Sequence, residues 1–152
     1  MKKEIEYKKI VYVDMDGVIA DFYKSHKEKQ TPDMKYPQAE YGFFLNLEEI
    51  PNAIYNMKLL EDIYDVYILT APSEINPLCY TEKRLWIEQH LGSEWINKLI
   101  ISPHKHLNIG DYFIDDKTSG KGQDIFDGEL IHFGSDKYPN WGSVVKYLLE
   151  KQ

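Results

Sequence analysis

Ile10-Val11-Tyr12-Val13-Asp14-Met15-Asp16-Gly17-Val18-Ile19-Ala20-Asp21 decides the fold, because an apolar run ends abruptly there in two carboxylates two residues apart. A short apolar run bounded by a turn residue reads as a strand buried on both faces. An ionised carboxylate at its end is costly to bury unless a cation, a hydrogen-bond array or a raised pKa compensates. In an extended segment alternate side chains share a side, so Asp14 and Asp16 start out together, and Gly17 lets the backbone turn sharply after them. Two like charges that close need a shared counter-ion. Mg²⁺ suits the position, since it takes oxygen ligands in octahedral geometry and keeps waters that a phosphate oxygen can displace.

Working outward, the apolar runs Val66–Leu69, Leu99–Ile101, Tyr112–Ile114 and Leu130–Phe133 alternate with helical patterns. Ala53 to Tyr64 carries Ile54, Met57, Leu60 and Ile63 at helical spacing. Tyr80 to Leu91 carries Leu85, Trp86 and Ile87 before Gly92 as C-cap, and Trp141 to Leu149 forms a closing helix. The alternation predicts an α/β domain spanning residues 1–152, with a mainly parallel sheet flanked by helices. Residues about 31 to 51 break the rhythm, with Pro32, Pro37, Gly42 and Pro51 around Tyr41, Phe43 and Phe44. They read as part of a small cap inserted after the first strand, at about 23–51, lying over the strand ends.

A chain of 152 residues buries about 68–70% of its unfolded surface and needs no staples. The net charge of −7 argues against nucleic acid polymers and anionic membranes as general partners, so any phosphate site must be local. One cysteine, Cys79, rules out an intramolecular disulfide. With no leader-like segment at the start and no window of membrane-spanning length, a reducing cytoplasm is the expected compartment.

The segment Asp14 to Phe22 resembles the first motif of haloacid-dehalogenase-like (HAD) phosphatases, and its Val-Ile-Ala-Asp-Phe continuation is similar to the 5′(3′)-deoxyribonucleotidase branch. Leu69-Thr70-Ala71-Pro72-Ser73 resembles the second motif, Lys105 the third, and Phe113-Ile114-Asp115-Asp116-Lys117 the fourth. Each is a short pattern; four in fixed order across residues 14 to 117 is specific. The resemblance implies a Rossmann-like sheet, a Mg²⁺ cofactor and cleavage of deoxynucleoside monophosphates such as dUMP or dTMP through an aspartyl-phosphate. The family's cap at this position is typically a longer helical bundle, so this chain departs from the pattern there.

Each reactive residue falls at the C-terminal end of a predicted strand, where open α/β sheets bind ligands. Asp14 is expected as nucleophile, since carboxylates form acyl phosphates that divide one hard displacement into two. Asp16 is expected to protonate the leaving oxygen and later activate water, which requires it to be partly protonated near neutral pH. Thr70 and Ala71 offer hydroxyl and N–H groups to phosphate, with Ser73 at an expected helix start. Lys105 supplies positive charge to the transition state. The resemblance implies metal binding by Asp14, by the Asp16 backbone carbonyl and by Asp116, with Asp115 as the other candidate for direct ligation. Lys98, Lys117 and Lys121 rival Lys105 on charge alone, and Lys83, a candidate for a secondary contact, reads rather as a surface pair with Glu82 and Glu88.

Phe22, Phe43, Phe44 and Leu45 are the expected substrate contacts, through base stacking by the aromatics and the resemblance of Tyr41-Gly42-Phe43-Phe44-Leu45 to the base-binding segment, with core packing of the small cap as the alternative for the aromatics. Gly120-Lys121-Gly122 lacks P-loop spacing, His104 and His106 lack a third metal ligand, and Cys79 has no activating partner. The leading reading is a Mg²⁺-dependent nucleotidase. The alternatives are a HAD phosphatase of another small phosphoester and a non-catalytic nucleotide-binding protein on the same fold. A homodimer is an open expectation, because small-cap phosphatases often complete the site with a partner subunit.

Overall fold

Both faces of the first apolar run need cover, and in the computed structural model, which describes residues 7–152, that run is the centre of the sheet. The strands are β1 (Ile10–Val13), β2 (Asp65–Thr70), β3 (Leu99–Ile101), β4 (Tyr112–Asp115) and β5 (Glu129–His132). Their order is β3-β2-β1-β4-β5, and every pairing is parallel. All five lie where the apolar runs place them, to within one residue at either end.

The strand pleat sorts the side chains onto two faces. Val11 and Val13 join Val66, Ile68 and Ile114 in the larger core cluster, whereas Tyr12 joins Leu69, Phe113 and Phe126 in a smaller one. The larger cluster also takes Met57 and Leu60 of α2 (Ala53–Glu61), Trp86 and Ile87 of α3 (Cys79–His90), and Val144 and Leu148 of α4 (Trp141–Glu150). α2 stops before its apolar spacing does, because the N–H groups of Asp62 and Ile63 turn back to Leu59 and Leu60 in a tightened last turn and β2 begins at Asp65. Gly92 follows α3 at φ +113°, a backbone conformation that L side chains rarely adopt.

One further helix, α1 (Phe22–Lys29), has no counterpart in the periodicity reading. None of its residues is fully buried, so it carries no apolar stripe to announce itself. It is held instead by its N-cap, the Asp21 carboxylate accepting from the Lys24 N–H at 3.2 Å. The insertion that α1 opens is pinned at its base by Asp21 N–H to Glu48 O and Ile50 N–H to Ile19 O, both 2.8 Å. The Trp86 indole ties it to α3 through Leu47 O at 2.9 Å.

After β1 the chain builds outward through β2 and β3, then crosses back to β4 on the other side of β1. The loops leaving β1 and β4 therefore diverge, and a crevice opens at their C-terminal ends. Asp14 follows the first of these strands and Asp115 ends the second.

Candidate active site

The β1 loop is built to present carboxylates. Asp14 adds one more ladder bond, its N–H donating to Ile114 O at 2.8 Å, and the Met15 carbonyl then gathers the N–H groups of Val18, Ile19 and Ala20. Gly17 sits at φ +81°, and a Cβ there would lie 2.5 Å from Asp116 Oδ2 and 2.7 Å from Tyr23 Cε2. The position thus requires glycine both for its backbone conformation and for the close approach of the β4 loop.

Lys105 links the two strand ends. Its ammonium donates to Asp14 Oδ1 at 3.0 Å and to Asp115 Oδ2 at 2.8 Å, and it is 3% exposed. Burial works against its charge, but Asp14 and Asp115 outweigh that and leave its pKa above the ordinary lysine value. Asp115 is fully engaged: Oδ2 also accepts from the buried Gln123 amide at 3.3 Å, and Oδ1 accepts from the Lys117 N–H at 2.9 Å. Asp116 is not. Its Oδ2 accepts from the Tyr23 hydroxyl at 2.6 Å, while Oδ1 is buried with no partner among the described residues.

Oxygens of Asp14, Asp115 and Asp116 all lie within 4.8 Å of one another. Burial, reinforced by Asp115 and Asp116 and opposed by Lys105, drives the Asp14 carboxyl well above the usual carboxylate range. Burial likewise raises Asp116, opposed by its proximity to Asp14 and by the hydrogen bond it receives from Tyr23. Three carboxyl groups facing one ammonium are short of positive charge, and the orphaned Asp116 Oδ1 marks where it is missing. The donor set, all carboxylate oxygen, fits a hard divalent cation.

Asp16 lines the same cavity but turns away from this trio, its Oδ2 pairing with Lys83 Nζ at 3.0 Å. Lys83 is no surface residue: it is fully buried and also donates to Thr70 Oγ1 and to Ala71 O, each at 2.7 Å. The surface pair expected with Glu82 and Glu88 is therefore corrected, and Glu82 is itself buried. The inward stripe of α3 runs Cys79, Glu82, Lys83, Trp86, Ile87, and the apolar members alone place positions 82 and 83 on it. Because the Thr70 oxygen accepts from Lys83, its own proton remains to be donated elsewhere.

The expected helix start at Ser73 is also corrected. α3 begins at Cys79, and residues 71–78 form a turn in which the Ser73 N–H donates to Cys79 Sγ at 3.2 Å. Asn76, fully buried, holds this turn against the insertion through Gln38 O and Glu40 O, both at 3.1 Å.

Asp14, Asp16, Thr70, Lys105, Asp115 and Asp116 line a cavity of about 260 Å³. Phe22 and Phe44 supply apolar wall, as the sequence suggests, and Thr70 and Ala71 lie on the side opposite the β4 loop in the chain's order of strands. Phe43 and Leu45 do not line it. Phe43 packs behind, edge-on to Phe22 and Phe44 with centroids 5.3 and 5.2 Å apart, and the Leu45 N–H meets Glu82 Oε1 at 3.4 Å. Lys117 and Lys121 reach the cavity besides Lys105, and Lys98 instead pairs with Glu61.

Comparison with known proteins adds an independent line. The family model described as "5′ nucleotidase, deoxy (Pyrimidine), cytosolic type C protein" matches residues 30–138. A Vibrio phage KVP40 protein with the name "Putative 5′(3′)-deoxyribonucleotidase" is 42% identical over 147 residues, covering 93% of this chain and 85% of its own. The human cytosolic type 5′(3′)-deoxyribonucleotidase is 32% identical over 147 residues, covering 75% of this chain and 73% of its own. Among solved structures, a Burkholderia xenovorans LB400 protein described as a "putative haloacid dehalogenase-like hydrolase" aligns with a TM-score of 0.56 at 11% identity, over 95% of this chain and 98% of that one.

Proposed function

The chain belongs to the 5′(3′)-deoxyribonucleotidase family of haloacid-dehalogenase-like hydrolases and is a phosphoric monoester hydrolase, and from that premise we propose that it removes the phosphate of deoxynucleoside monophosphates, dUMP and dTMP among them, through an aspartyl-phosphate on Asp14 with Mg²⁺ as cofactor. The observation that carries the reading is the convergence of Asp14, Lys105, Asp115 and Asp116 in one buried cluster beside Thr70. Asp14 and Asp116 would hold the ion, joined by the Asp16 carbonyl, whereas the two oxygens of Asp115 are already committed to Lys105, Gln123 and Lys117. When bound, Mg²⁺ neutralises charge on the phosphate and lets it approach the carboxylates.

An Asp14 oxygen attacks phosphorus and forms the acyl phosphate as the ester P–O bond breaks. Asp16 gives its proton to the departing nucleoside oxygen. Water then attacks the acyl phosphate, Asp16 takes the proton back, and inorganic phosphate leaves with Asp14 regenerated. Lys105 and the Thr70 hydroxyl stabilise the equatorial oxygens as charge develops on them. Lys83, with Asp16, Thr70 and Ala71 as partners, keeps acid and hydroxyl in register. The insertion acts as a reduced cap, with Phe22 and Phe44 walling the nucleoside from water.

Phosphate release from a panel of mononucleotides and sugar phosphates tests the reading. Deoxynucleoside monophosphates should turn over with Mg²⁺, EDTA should abolish the reaction, and added Mg²⁺ should restore it. Faster turnover of sugar phosphates with indifference to the base would replace the nucleotidase assignment by a broader phosphatase, and binding without turnover would leave a nucleotide-binding protein.

Cation binding should also depend on pH with a definite sign. Asp14 and Asp116 have folded pKa values above their unfolded ones, so the protons they hold stabilise the ion-free protein at low pH, and that contribution is lost as pH rises through the folded values. The cation competes with these protons, so the rise in melting temperature on adding Mg²⁺ should be larger at pH 8 than at pH 5. A gain equal at both would count against the carboxylate pair as the ion's seat.

A further inference from the structure

Tyr23 touches the site, yet the reaction above makes no use of it. It is the second residue of α1, half-exposed at the cavity's edge, and its ring packs edge-on against Phe22 with centroids 5.7 Å apart at 80°. Its hydroxyl reaches across from the insertion to Asp116 Oδ2 at 2.6 Å. The other oxygen of that carboxylate, Oδ1, is buried with no hydrogen-bond partner among the described residues, and carboxylate oxygens of Asp14 and Asp115 stand within 4.8 Å of one of Asp116.

Two other contacts fix Asp116. Its backbone carbonyl lies 3.0 Å from His132 Nε2 at the end of β5, and the bare edge of Gly17 leaves room for both its carboxylate and the Tyr23 ring. A carboxylate on a loop has two rotatable bonds and, with one oxygen unpartnered, no reason to keep a single orientation unless the other oxygen is tied. The phenol is the side chain that ties it. Oxygens that ligate metals are commonly held by a hydrogen bond to the group's other atom, and removing that bond loosens the ion.

We propose that Tyr23 is a positioning residue for the metal centre: by holding Asp116 Oδ2 it aims Oδ1 at the space shared with Asp14, and so sets the affinity of the site for its divalent cation. The inference rests on the metal reading given under the proposed function. It also makes the seating of the insertion and the readiness of the metal site one event, because α1 carries the phenol and the β4 loop carries the carboxylate. Burial, with the hydrogen bond to Asp116 next, keeps the phenol protonated far above neutral pH, so it remains a donor throughout the working range.

Isothermal titration calorimetry with Mg²⁺ on the wild type, Tyr23→Phe and Asp116→Asn provides the test. Phe keeps the half-exposed ring and deletes only the hydroxyl, so the metal-free melting temperature should match the wild type. Mg²⁺ should bind about 10- to 100-fold more weakly to Tyr23→Phe, the range found when a ligand's supporting hydrogen bond is removed. Phosphatase activity of the variant should fall at low Mg²⁺ and recover at saturating Mg²⁺, which a packing role would not produce. Equal Mg²⁺ affinity in wild type and Tyr23→Phe, with Asp116→Asn impaired, would overturn the role of Tyr23 and leave the metal site standing. A wild type that binds no Mg²⁺ would overturn the metal reading and this inference together.

Discussion

Asp14→Asn should abolish phosphate release while leaving the protein folded. The amide cannot form an acyl phosphate, and removing a nucleophile typically lowers turnover by on the order of 10⁴- to 10⁶-fold. The fold should survive, since the backbone N–H at position 14 still bonds Ile114 O, and Lys105 keeps Asp115 as a partner at 2.8 Å. Removing a carboxyl whose burial already disfavours its charge should even relieve the ion-free protein. Phosphate release and far-ultraviolet circular dichroism, measured on the same preparation, separate lost chemistry from lost structure. A folded Asp14→Asn protein that still turns over at a rate near the wild type would exclude Asp14 as nucleophile.

The second large effect belongs to Lys105. Lys105→Met fills similar volume but removes the ammonium that donates to Asp14 and Asp115 at 3.0 and 2.8 Å. Breaking a buried pair by deleting one partner costs about 3–5 kcal/mol, because the carboxylates are left uncompensated. Losing a preorganised charge at the developing phosphate oxygens should lower kcat by about 10²- to 10³-fold besides. Urea unfolding without metal reads the first effect and saturating-substrate kinetics with Mg²⁺ reads the second. Mg²⁺ should restore much of the stability and little of the rate, since it can offset the carboxylates without standing where the lysine meets the phosphate. Stability and kcat both within twofold of wild type would place Lys105 outside the site.

The strands were legible because burial on both faces leaves an unbroken apolar run, as in Val11 to Val13 and Phe113 to Ile114. The carboxylates were legible for the opposite reason: Asp14 and Asp115 are polar where apolar residues are expected. What escaped was the polar side chain on an apolar face. Lys83 looks like a solvated helix lysine beside Glu82, and only its place between Cys79 and Trp86 on one stripe reveals that both are interior. α1 escaped because it buries no residue fully and, of its half-buried Phe22, Ser25 and His26, only Phe22 is apolar, so its start is signalled only by Asp21 as N-cap. Phe43 and Phe44 are adjacent in sequence and both 2% exposed, but one faces the cavity and the other supports it, a distinction of direction that hydrophobicity does not encode. Tyr23 carried no signal, because its partner Asp116 is remote in the chain and only the β1–β4 crevice brings them together.

During turnover an oxygen of Asp14 should become covalently bonded to phosphorus. Acid quenching of the wild type in the presence of Mg²⁺ and dTMP, followed by borohydride reduction and peptide mass spectrometry, tests it directly, because an acyl phosphate is reduced to the alcohol whereas a free carboxylate is not. Homoserine is expected at position 14, dependent on substrate and at no other aspartate. Active turnover with residue 14 recovered only as aspartate, or with the alcohol at residue 16, 115 or 116, would contradict it.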